Sequence, residues 1–84
     1  MESSTKESLE DLVVERILEQ GGSVDVPRGK FMHRNVARTL RLSGFNRRAV
    51  YEAVVKAIRA ERITREDLPQ VRGQIKMMRL SVIS

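Results

Sequence analysis

Val50, Ala53, Val54, Ala57 and Ile58 recur at the i, i+3, i+4, i+7, i+8 spacing of a helix with one buried face, and Ala49 widens that face at its start. The small alanines let another helix approach closely, and a second amphipathic run lies immediately upstream. From Lys30 to Leu42 the helical wheel puts Met32, Val36 and Leu40 on one side and Lys30, Arg34, Arg38 and Arg41 on another. Ser43-Gly44-Phe45 supplies a turn between the two runs. Asn46 is a good N-cap for the later helix, with Phe45 placed to pack on Val50 as a hydrophobic staple. The chain is therefore organised around a helical pair, and the flanking segments must cover what that pair leaves bare.

Upstream, Ser4-x-x-Glu7 has capping-box spacing, which starts a first helix near Thr5 and leaves residues 1–4 disordered. Leu9, Val13 and Ile17 line one face up to about Gln20. Leu12 borders it on one side and Val14 and Leu18 on the other, an arc wide enough to face a second subunit or to lie under the C-terminal segment. Gly21-Gly22 ends the helix. Ser23–Val26 then alternates polar and apolar before Pro27, as a short edge strand does. Downstream, Thr64-x-x-Asp67 has the spacing to cap a fourth helix, although Pro69 fits it poorly, whereas Ile75, Met77, Leu80 and Val82 partly alternate. Periodicity does not separate a C-terminal hairpin over 63–83 from a fourth helix. The expectation is a single domain over residues 1–84, mainly α, with a three-helix core.

With 84 residues the chain has no room for a large enclosed active site. Phe31, Phe45 and Tyr51 are its only aromatics, so the core is aliphatic. The absence of cysteine excludes disulfides, thiolate zinc sites and thiol nucleophiles, and His33 alone cannot make a metal site. Paired carboxylates, a glycine-rich phosphate loop and a Ser/His/Asp set are all missing. The expectation is a non-enzymatic protein with no cofactor, metal or small-molecule substrate. No apolar run approaches the ~18 residues of a membrane span, and Glu2-Ser3-Ser4-Thr5 is unlike a signal peptide, which points to the cytoplasm or nucleus.

The net charge of +5 is unevenly distributed. Residues 1–27 carry seven acids against two bases, −5. Residues 28–51 carry Arg28, Lys30, Arg34, Arg38, Arg41, Arg47 and Arg48 and no acid, +7. The remainder carries four acids against seven bases, +3. Crowded cations on one helix repel each other, and an anionic partner relieves that repulsion.

Val36-Ala37, Leu40 and Leu42-Ser43, followed by Arg47-Arg48-Ala49-Val50-Tyr51, resembles the helix-turn-helix of bacterial DNA-binding regulators, with Gly44-Phe45-Asn46 lengthening the turn. Helix, short strand, helix, helix and a C-terminal hairpin is similar to the winged-helix layout. The resemblance implies that Arg47, Arg48, Tyr51, Glu52 and Val55 face bases. It implies that Arg28, Lys30, Arg34, Arg38 and Arg41 neutralise phosphates, and that Arg65, Arg72, Lys76 and Arg79 serve as wing contacts. The function expected is duplex-DNA binding by a small homodimeric transcriptional regulator. RNA ranks second, since two of the three aromatics are expected in packing, and a protein-interaction adaptor using the basic face ranks third.

Overall fold

The computed structural model describes residues 8–83. Within them lie helices α1 (Leu9–Glu19), α2 (Met32–Thr39) and α3 (Arg47–Arg59), and strands β1 (Ser23–Pro27), β2 (Ile63–Asp67) and β3 (Met77–Val82), in the order α1-β1-α2-α3-β2-β3. The strands form one antiparallel sheet, β1-β3-β2. This corrects the mainly α expectation: the fold is α+β. An isolated extended segment such as Ser23–Val26 leaves its backbone N–H and C=O groups unpaired, and β3 supplies partners to it on one side and to β2 on the other. Thr64 accordingly lies in a strand rather than capping a fourth helix.

The helices cover one face of the sheet. Val24 and Val26 of β1, Met78 and Leu80 of β3, and Ile63 of β2 turn inward and join Val13, Ile17, Val36, Leu40, Val50 and Val54 in an aliphatic core. The inward pair on β3 is thus Met78 and Leu80, while Ile75 lies outside the strand and is exposed. Val14 joins the core, so the wide apolar arc of α1 shrinks to Leu18, which is 55% exposed. On the open face, Arg79 sits in register between Asp25 and Glu66.

Local chemistry fixes the helix ends. Ser8 is the N-cap of α1, its Oγ accepting from the Asp11 N–H at 3.1 Å, so the helix begins at Leu9 rather than near Thr5. The expected Ser4/Glu7 pair and the disorder assigned to residues 1–4 lie outside the described residues. All three helices close with the same pair of backbone bonds. The bond of the pair that spans more residues runs from Gly22 N to Ile17 O (3.0 Å), from Leu42 N to Ala37 O (2.8 Å) and from Arg62 N to Ala57 O (2.9 Å). That motif needs a left-handed residue at its corner, supplied by Gly21 (φ 96°), Arg41 (φ 58°) and Glu61 (φ 59°).

Only the first corner announces itself as glycine. Arg41 therefore lies past the end of α2, which stops at Thr39 instead of Leu42, and the turn carries Leu42 back into the core. A non-glycine residue in this conformation costs ~1–2 kcal/mol, part of which glycine returns as unfolded-state entropy. Glu61→Gly and Arg41→Gly are each expected to stabilise the domain by about 0.5–1 kcal/mol, read as a higher urea midpoint at unchanged slope.

Three side-chain ties hold the layers in register. Gln20 Nε2 donates to Thr39 O at 2.8 Å, joining α1 to α2, and Asn35 Nδ2 donates to Pro27 O at 3.1 Å, joining α2 to β1. Arg62 donates to Glu10 at 2.8 Å and to Asp11 at 2.7 Å, joining the start of α1 to the chain entering β2. The Arg62 guanidinium, aided by Ser8, holds the Asp11 carboxyl below its ordinary value.

Candidate nucleic-acid interface

α2 and α3 pack against each other, and His33, Arg34, Arg47 and Arg48 near their starts are exposed. Asn46 caps α3 as expected, its Oδ1 accepting from the N–H groups of Arg48 at 2.9 Å and Ala49 at 3.1 Å. Along this face run three shallow clefts. The first is lined by Lys30, Phe31, His33, Arg34 and Arg47, and the second by Arg34, Arg38, Ser43, Phe45 and Arg47. The third runs along α3 between His33, Arg48, Tyr51, Glu52, Val55, Lys56 and Arg59. Arg34 and Arg47 line both of the first two, so two clefts with a shared arginine wall form one basic surface.

Among the described residues, Lys30, Arg34, Arg38, Arg41 and Arg47 form no ion pair with a carboxylate. The acids of α1 that are paired are spent elsewhere: Glu10 and Asp11 on Arg62, and Glu19 on Arg16 at 3.4 Å. The acidic start of the chain therefore does not mask the basic face through these groups. Arg28 stands apart from its expected companions. Its side chain is 24% exposed and reaches Asp67 at 3.5 Å. Lys30 precedes α2, and Arg41 occupies the left-handed corner beyond it, so Arg34 and Arg38 alone of the expected stripe ride on the helix.

The expected base-facing set divides. Arg48, Tyr51, Glu52 and Val55 share the α3 cleft, whereas Arg47 turns to the Lys30 and Arg34 side. Arg48 Nε lies 3.6 Å from Glu52 Oε2, so Glu52 pairs toward the helix start. Both partners are well exposed, where such a pair contributes little and yields readily to a ligand. Tyr51 is half-buried, its ring centroid 4.4 Å from that of His33 at a 42° tilt.

Of the four expected wing cations, two are engaged within the sheet. Arg65 Nε lies 3.1 Å from Asp67, and Arg79 Nε lies 2.8 Å from Asp25, an ion pair that holds the Asp25 carboxyl below its ordinary value. Arg72 and Lys76 lie on the loop between β2 and β3 and form no ion pair among the described residues. Gly73 (φ 82°) makes the corner of a turn closed by Gln74 N to Val71 O at 2.9 Å, placing Arg72 at the tip of the hairpin.

The phenylalanines stand at the surface of this face. Phe31 is 58% exposed and Phe45 47% exposed, and each lines one of the two basic clefts instead of packing in the core. The Arg34 guanidinium lies over the Phe31 ring, 5.2 Å from its centroid. A signal was available at Phe31, since aromatic residues are poor N-caps and the cations on either side of it mark a surface. Lys56 and Arg59 complete the lining of the α3 cleft.

No family model, no curated protein and no solved structure matches this chain. No described helix is long and apolar enough to cross a membrane, and no group of three or more His, Asp or Glu among the described residues is placed to hold a metal ion.

Proposed function

We propose that this domain is a non-enzymatic nucleic-acid-binding protein of the winged-helix kind, working in the cytoplasm or nucleus as a small regulator on duplex DNA. The observation that carries the reading is the unmasked set Lys30, Arg34, Arg38 and Arg47, gathered around two adjoining clefts with no carboxylate drawn to them among the described residues. The order α1-β1-α2-α3-β2-β3, with β3 between β1 and β2, agrees with the winged-helix layout. In this reading α3 enters the major groove, Arg48 and Glu52 contact base edges, and the basic clefts grip the phosphates alongside. Arg72 and Lys76 reach the backbone from the hairpin tip. A two-fold homodimer would present two such helices to a palindromic site.

RNA is the second reading, and the exposure of Phe31 and Phe45 favours it over an acidic protein partner, because stacking rings serve bases. The salt dependence of binding tests the proposal. Four phosphate contacts give a log–log slope of about −3.6 on duplex DNA, and about −4.5 if Arg41 or the hairpin adds a fifth. Anisotropy titrations at several salt concentrations are expected to give a slope in that range. A slope near zero, or no binding to duplex at low salt, would remove the DNA reading.

A further inference from the structure

Phe31 and Phe45 are the only phenylalanines in the chain, and neither belongs to the core, whose buried members include no aromatic residue. Burying a ring is among the largest gains a side chain offers, so two rings left on one face call for a ligand that uses them. Phe31 also breaks a local rule. It occupies the N-cap of α2, where Ser, Thr, Asp or Asn would accept a backbone hydrogen bond, and no side-chain cap bond is made there.

The two rings stand on either side of the arginine wall, Phe31 with Lys30 in one cleft and Phe45 with Arg38 in the other, Arg34 and Arg47 being common to both. A phosphate gains nothing from a phenyl ring, whose face is electron-rich, and paired bases inside a continuous duplex hide their faces in the stack. The face of an unpaired base fits both requirements, as it stacks on a ring while the neighbouring phosphate meets a guanidinium. The Arg34 guanidinium lies over one face of the Phe31 ring, 5.2 Å from its centroid, so a base stacks on the other face or on the guanidinium plane itself.

Building on the nucleic-acid reading above, we infer that the preferred ligand is a nucleic acid carrying unpaired bases next to a duplex, at a bulge, mismatch or fork. Phe31 and Phe45 receive the displaced bases, and Lys30, Arg34, Arg38 and Arg47 hold the strand that carries them. Unstacking is cheapest where pairing is already interrupted, which makes the preference one of structure more than of sequence.

Anisotropy titrations of the full chain against a random-sequence DNA duplex, the same duplex with a central bulge, and the matching continuous and bulged RNA duplexes, all at one salt concentration, test this. The bulged DNA is expected to bind about tenfold tighter than the continuous duplex. The Phe31→Leu/Phe45→Leu double variant, with folding checked by circular dichroism, is expected to lose that preference, the ratio of bulged to continuous affinity falling from about ten to about one. A bulge preference seen on RNA and DNA alike supports stacking without sugar discrimination. Equal affinity for bulged and continuous duplex, or a preference that survives in the double variant, overturns the inference and leaves the basic face standing. Absence of binding to every probe overturns the basic-face reading and this inference together.

Discussion

Replacing Arg34, Arg38 and Arg47 together by alanine is expected to weaken binding to every duplex by two to three orders of magnitude at ~0.1 M salt and to flatten the salt slope by about 2.7. Each lost phosphate contact removes ~0.9 from the slope and, at that ionic strength, a factor of about eight in affinity. The three residues are exposed and make no ion pair among the described residues, so the fold does not depend on them. Arg28→Ala gives the contrast. Its guanidinium is committed to Asp67, so it should disturb the junction between β1 and the hairpin more than the slope. Arg48→Ala differs again, because a side chain that reads a base edge contributes discrimination: it should relax preference at one base position by roughly 1–3 kcal/mol. Uniform losses from Arg48→Ala on all sequences would cancel the division between base-facing and phosphate-facing residues. Unchanged affinity in the triple variant would discard the surface altogether.

Leu80→Ala is expected to cost about 3–4 kcal/mol. Leu80 is fully buried on the central strand, with Val24 beside it on β1 and the helices above. A domain of this length has a total stability of only ~4–13 kcal/mol, so the loss of one such side chain removes from about a quarter to nearly all of it. Urea denaturation followed by circular dichroism measures it. Ile75→Ala, on the exposed loop of the same hairpin, should fall within about 0.5 kcal/mol of the parent. A Leu80→Ala cost below about 1 kcal/mol would mean that β3 does not anchor the sheet to the helices.

The helices were legible because each carries its own signal. The run from Val50 to Ala57 marks α3, Asn46 marks its start, and Gly21 marks the end of α1. The sheet was half legible. Ser23–Val26 alternates over too few residues to show that it is one edge of a sheet, and its partner Met77–Val82 lies more than fifty positions away. Helix α2 was read too long because Arg41 is not a glycine: the corner is forced by burying Leu42, and nothing local in the sequence records that.

The candidate site divides along the same line. That residues 28–51 concentrate positive charge follows from composition alone. Which of those cations stay available depended on carboxylates far away in the chain: Asp67 reaches Arg28, while Glu10 and Asp11 are drawn to Arg62. Two of the three aromatics are expected in packing, Phe45 by its staple position before α3, yet the space between the helices and the sheet is already filled by non-aromatic side chains.

Sequence alone determined the helical pair, the Asn46 cap of its second member and the sign of its surface, because periodicity, caps and charge act over a few residues. Tertiary structure decided the sheet, the end of α2 and the exposure of both phenylalanines. Strand pairing, core volume and ion-pair choice are settled only between segments that the chain keeps far apart until it folds.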